Sequence, residues 1–85
     1  MKVINSITIV HSASRNFKEA LDLCIETAKK ENIDVKNILP VNEKGIDKVV
    51  SKKESDLILV IGGDGTMIRT VANLLDHEIP LLGIN

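Results

Sequence analysis

The sequence predicts an α/β domain built on an open parallel sheet, and three observations carry that prediction. Short apolar runs alternate with segments whose apolar residues recur every three or four positions. One run, "LILVI" at residues 57–61, is apolar without a break, as in a strand buried on both faces. The resulting order is β-α-β-α-β-α-β, which demands parallel strands, right-handed crossovers and helices on both faces. The expected layout is Rossmann-like.

The elements follow in chain order. "ITIV" (Ile7 to Val10) is a β-branched run and predicts a buried strand. "HSASRN" is a polar loop. Phe17, Ala20, Leu21, Cys24, Ile25 and Ala28 then fall on one face of a helix. Ser14 is its expected N-cap, and Lys29 and Lys30 suit its C-terminal end. A second strand is expected over residues 35–39, ended by Pro40. "NEKGIDKVVSKKE" predicts a short polar helix with Ile46, Val49 and Val50 on one side. Gly45 weakens its start by about 1 kcal/mol relative to Ala. After the central strand come glycines and then a helix with Ile68, Val71, Ala72 and Leu75 on its apolar face. "IPLLGI" is the fourth strand.

Composition narrows the function classes. A chain of 85 residues makes one small domain, burying roughly 60–65% of its unfolded surface. One Phe, no Trp and no Tyr leave no stacking platform for single-stranded nucleic acid. A net charge of −1 with interspersed signs argues against a polyanion-binding surface. A single cysteine, Cys24, forms no intrachain disulfide and fits a reducing compartment. The N-terminus is too polar after Val10 for a signal peptide. No apolar stretch approaches the ~20 residues of a membrane helix. These features predict a cytoplasmic protein, or a piece of one. The chain stops directly after a strand, so a truncated domain is expected.

The loop Gly62-Gly63-Asp64-Gly65-Thr66 carries the functional signal. Glycines let a ligand approach the backbone closely. The following helix supplies free N–H groups and partial positive charge. Ligands of open parallel sheets bind at the carboxyl ends of strands, where this loop lies. Neither a Walker ending nor Gly-x-Gly-x-x-Gly is present. The plainer reading is a tight turn with Asp64 or Thr66 capping the helix. That role needs one polar residue and one glycine, and the loop has more of both. A carboxylate in a phosphate cradle has two uses. It can help hold a magnesium ion, or it can take the proton of an attacking hydroxyl. Both point to phosphoryl transfer.

"GGDGT" followed by an apolar helix resembles a superfamily of NAD kinases, diacylglycerol-type and sphingosine lipid kinases and, more loosely, phosphofructokinases. The continuation "GGDGTMIRTVANLLDHEIPLLGIN" is similar to the NAD kinase pattern in particular, over about a third of the chain. The resemblance implies an N-terminal α/β nucleotide-binding domain, residues 1–85, with a mostly β C-terminal domain outside it. It implies phosphorylation of the adenosine-ribose 2′-hydroxyl of NAD to give NADP, with ATP or polyphosphate as donor. Asp64 would be the catalytic base. Gly62, Gly63, Asp64, Gly65, Thr66 and Arg69 would bind nucleotide, Arg69 being equally readable as a solvated surface residue. Asn85 would enter a "Gly-x-Leu-Gly-Phe" loop. That loop, a later Asn-Glu/Asp motif and the second domain would bind much of the NAD, so the 85 residues alone should be inactive. The full-length protein would be a homo-oligomer that binds neither nucleic acid nor membrane. A lipid kinase and a non-catalytic nucleotide-binding module are the alternatives.

The remaining candidates are weaker. His11 ends the first strand and either faces the same cleft or is a plain loop residue. His77, between two acids, is expected at the surface. Cys24 is expected to pack in the core. Lys52, Lys53 and Glu54 look like a solvated helix end. No His, Cys, Asp or Glu cluster has metal-ligand spacing. No protein metal site is therefore expected, and magnesium would come bridged by substrate phosphates.

Overall fold

A computed structural model describes residues 3–13 and 16–84. The expected N-cap, Ser14, and the terminal Asn85 lie outside the described residues. Four parallel strands, β1 (Ser6–His11), β2 (Asp34–Pro40), β3 (Leu57–Ile61) and β4 (Leu81–Ile84), form one sheet in the order β2-β1-β3-β4. Helices α1 (Lys18–Lys30), α2 (Ile46–Val49) and α3 (Asp64–Leu74) join them, α3 passing into a 3-10 turn at Leu75–His77. The chain steps one way from β1 to β2 and the other way afterwards. Right-handed crossovers then place α1 on one face and α2 and α3 on the opposite face. The packing agrees. Ile7, Ile9 and Ile61 pack with the Phe17, Leu21, Ile25 and Ala28 side of α1. Val10, Ile58 and Val60 pack with Ile46, Val50 and Leu74. The predicted fold class therefore holds, as does the placing of the unbroken run in an interior strand.

Local signals explain the element ends. α1 closes on Asn32 in the left-handed region (φ 58), and the Ile33 N–H donates to the Ala28 carbonyl at 2.7 Å. This is a helix-terminating motif in which Asn stands where glycine is usual. Phe17 holds the N-cap position of α1 and makes no side-chain cap bond. The Asn16 side-chain carbonyl accepts from the Lys18 N–H at 3.3 Å. Gly45 sits just before α2 with φ +70, so it initiates the helix from outside and does not weaken its interior.

Three expectations are corrected. The inward face of α3 is Thr66, Thr70 and Leu74, whereas Ile68 and Leu75 are 67% and 68% exposed. The Thr70 hydroxyl donates to the Thr66 carbonyl at 2.7 Å. Its polarity is thus satisfied within the helix, so it can enter the core. On α2, Ile46 and the following Val50 are buried but Val49 points outward. His77 is buried, only 6% exposed, and its Nε2 meets the Asp47 carbonyl at 2.8 Å. It ties the end of α3 to α2.

These packing assignments are separable by mutation. Leu74→Ala should cost about 2–5 kcal/mol, much of the total for a domain this small. Ile68→Ala should change stability by no more than about 0.5 kcal/mol. Urea denaturation of both variants checks this. The opposite ranking would restore the predicted helix face.

Candidate functional site

Strand order reverses direction between β1 and β3, and this switch point is where an open parallel sheet forms a crevice at its carboxyl edge. The crevice is present, with a volume of about 530 Å³. Its floor is tied by the Ser12 N–H donating to the Ile61 carbonyl at 2.8 Å. Gly62 and Gly63 line one side, and Asn16, Phe17 and Glu19 at the start of α1 line the other. Two helix N-termini, those of α1 and α3, therefore flank one opening. Their unsatisfied N–H groups and dipoles make its potential favourable to anions.

The glycines of the loop differ in their reasons. Gly62 has φ +154, and a Cβ there would lie 2.6 Å from Thr66 Oγ1 and 2.9 Å from Thr66 Cβ. Glycine is required at this position for packing. Gly63 has φ −86, and a Cβ there would meet nothing within 4 Å. Gly65 lies in the first turn of α3, also with open space around it. There glycine costs helix stability relative to alanine. Neither Gly63 nor Gly65 is demanded by the fold, and both keep the backbone bare where the N–H groups point outward.

Asp64 is the first residue of α3 and is exposed. Its carboxylate makes no hydrogen bond or ion pair among the described residues. Gly63 holds the N-cap position, so the capping role open to Asp64 or Thr66 is not taken up. Thr66 is buried beneath the loop against Gly62, not displayed toward the crevice. Arg69 is exposed and lies outside the crevice lining, as do Asp64 and Gly65. The structure thus brings Gly62 and Gly63 into the crevice, sets Asp64 and Gly65 at its lip, uses Thr66 as support and leaves Arg69 on the outer surface.

His11 is half-buried and stacks on Phe17, ring centroids 3.8 Å apart and 18° from parallel. Its Nδ1 lies 3.0 Å from the Ser12 carbonyl. A carbonyl only accepts, so Nδ1 carries the hydrogen. His11 therefore supports Phe17, which lines the crevice. Phe17, Asn16 and Glu19 drew no functional reading from sequence. The available signal was positional: the loop after β1 leaves the sheet at the same edge as the glycine loop.

Comparison with known proteins adds an independent line. A family model for the ATP-NAD kinase N-terminal domain matches residues 5–85. The chain is 40% identical over 68 residues to an NAD kinase of Clostridium kluyveri, covering 80% of this chain and 24% of that protein. It is 32% identical over 82 residues to NAD kinase 1 of Prochlorococcus marinus, covering 93% of this chain and 27% of that one. With the NAD kinase of Methanothermobacter thermautotrophicus the identity is 53% over 36 residues, 42% of this chain and 13% of the other. The chain spans about a quarter of the length of the Clostridium and Prochlorococcus relatives. No solved structure matches the chain.

The two loop glycines give a direct stability contrast. Gly62→Ala should destabilise the domain by about 1–3 kcal/mol, from strain and the clash with a stiff, buried threonine. Gly63→Ala should leave stability unchanged or raise it by up to about 1 kcal/mol. Thermal melting of the two variants tests this. Equal losses would mean that Gly63 is a structural glycine after all.

Proposed function

This chain belongs to the NAD kinase family, and from that premise we propose that it is the N-terminal nucleotide-binding domain of an enzyme that phosphorylates NAD to NADP. In this reading the 2′-hydroxyl of the adenosine ribose is the acceptor, and ATP or polyphosphate is the donor. The mostly β second domain belongs to the polypeptide outside these 85 residues. The supporting observation is the lip of the crevice. Two glycines that the fold does not require flank an unpartnered carboxylate at a helix N-terminus. A lipid kinase is the less favoured reading, because the family match is to NAD kinases.

The chemistry assigns each residue a task. The N–H groups around Gly63 and Gly65 hold phosphate oxygens, at a helix end whose dipole favours negative charge. Thr66, packed under Gly62, fixes the loop so that these donors are in place before the substrate arrives. Asp64 accepts the proton of the 2′-hydroxyl as its oxygen forms the new bond to phosphorus. The bond from phosphorus to the leaving oxygen of the donor breaks, and the electron pair leaves with the donor product. Glu19 lines the crevice and Asp64 follows its Gly63 lining residue, and among the described residues no three His, Cys, Asp or Glu side chains group around one point. In this reading magnesium comes bridged by the substrate phosphates. Arg69, on the outer turn of α3, serves NAD only if the second domain brings the nucleotide to it. The reading carries a cytoplasmic location and a homo-oligomeric full-length enzyme. Among the described residues no helix is long and apolar enough to cross a membrane.

Two outcomes follow. The 85-residue chain by itself should give no NADP, because transfer of this kind depends on positioning by a complete pocket. An enzyme-coupled NADP assay above a no-protein control checks it. In the full-length enzyme, Asp64→Asn should leave melting temperature and NAD affinity nearly unchanged while turnover falls on the order of 10²–10⁴-fold. Partial recovery of rate at high magnesium would instead assign Asp64 to the metal. Turnover within a few-fold of the parent enzyme would remove Asp64 from the chemistry.

A further inference from the structure

The crevice suits a ligand with a single anionic end. Its anion-holding groups are confined to the glycine loop, where backbone N–H groups stand free at the start of α3. The opposite wall is the start of α1, which presents Asn16, Phe17, Glu19 and Ala20. Among the described residues that line the crevice, the one charged side chain is Glu19, and it is negative. No described lysine or arginine lines it. Lys18 pairs with Asp22 at 3.7 Å along α1, and Arg69 lies on the outer surface. Glu19 is exposed, and among the described residues its carboxylate makes no hydrogen bond or ion pair. An acid in the first turn of a helix also suits the helix dipole. That preference holds anywhere around the turn and does not choose the side that faces the crevice.

We propose that Glu19 selects the phosphate donor: its carboxylate accepts hydrogen bonds from the ribose hydroxyls of a nucleoside triphosphate and repels a bare polyphosphate chain. This rests on the phosphoryl-transfer reading of the glycine loop. The two donor classes differ in where their charge lies. A nucleoside triphosphate is charged at one end and carries an uncharged body with two neighbouring hydroxyls and a flat base. With its phosphates on the loop, its body extends toward α1. There the two hydroxyls meet the two oxygens of Glu19, which can only accept, and the base lies against Phe17 and Ala20. A polyphosphate is charged along its whole length. It needs cations spaced along the site, and here it meets a like charge instead. The crevice volume of about 530 Å³ lies within the range of small-molecule sites, roughly 300–1,000 Å³. NAD carries ribose hydroxyls as well. Asp64 and Gly65, however, stand outside the crevice lining. The acceptor hydroxyl therefore reaches Asp64 from outside, and the crevice is left to the donor.

The test uses the full-length protein with its Glu19→Gln and Glu19→Ala variants. Calorimetry gives Kd for the magnesium complexes of ATP, 2′,3′-dideoxy-ATP and tripolyphosphate. An NADP assay gives kcat and KM for ATP and for NAD. In the parent protein, dideoxy-ATP should bind about 10–100-fold more weakly than ATP, the range of hydrogen bonds to a charged group. In Glu19→Ala that ratio should fall to about one, because ATP weakens and dideoxy-ATP does not. Glu19→Gln keeps the size and removes the charge, so tripolyphosphate should bind at least ~10-fold more tightly than to the parent. KM for ATP should rise in Glu19→Ala, while kcat and KM for NAD change by less than about threefold. A role confined to helix stability would lower the melting temperature and weaken ATP and dideoxy-ATP alike, which would overturn the proposal. So would a raised KM for NAD with ATP binding unchanged, which would give Glu19 to the acceptor. Tripolyphosphate binding to the parent as tightly as ATP would overturn it too. If no donor yields NADP, the phosphoryl-transfer reading fails, and the ratio of ATP to dideoxy-ATP binding still decides the role of Glu19.

Discussion

The arrangement depends most on one contact, the approach of Thr66 to Gly62. Thr66 Oγ1 and Cβ sit where a Cβ on residue 62 would be. Only a bare backbone at that point lets α3 begin directly over the end of β3. Because α3 starts there, Asp64 and Gly65 project from the carboxyl edge of the sheet, with their N–H groups unspent. Lengthening the turn would carry those groups away from the crevice that β1 and β3 form.

A second close approach works in the same way at the other end of the crossover. Gly83 in β4 lies under Met67, whose Cε stands 2.7 Å from where a Cβ would be. Glycine in a strand is usually a weakness, but here it admits a long side chain from the covering helix. The β3-α3-β4 unit is thus pinned by a glycine beneath the first turn of α3 and another beneath its second residue pair. The third wall, α1, is held separately by the His11–Phe17 stack and by its own core face.

The polar groups buried in the sheet follow the same rule of local satisfaction. Thr8 and Ser55 share a hydrogen bond at 2.8 Å, and Asn37 donates to Thr8 and to Glu54. The Asp56 carboxylate accepts from the Asn5 and Ser6 N–H groups at 2.8 and 3.2 Å. These bonds close the amino edge of the sheet, opposite the crevice. The two edges differ in kind: one has its polar groups spent internally, while the other leaves backbone donors and a carboxylate available.

The sequence by itself determined the element order, the parallel sheet and the position of the glycine loop. Those features rest on local patterns, namely unbroken apolar runs, helical spacing and glycines, which need no knowledge of neighbours. The tertiary structure decided what depends on which surfaces meet. α3 turns Thr66 inward against Gly62, and Thr70 inward with its hydroxyl donating to the Thr66 carbonyl, while Ile68 and Leu75 face out although they are more apolar. His77 is buried because a carbonyl on α2 lies within reach of its ring. Gly62 and Gly63 look alike in sequence, but only the first lies against another side chain. Phe17 and Glu19 meet Gly62 and Gly63 at the crevice because β1 and β3 are neighbours, although the two pairs are more than forty positions apart. Periodicity along a chain reports how often a residue faces one side. It does not report which side meets the sheet.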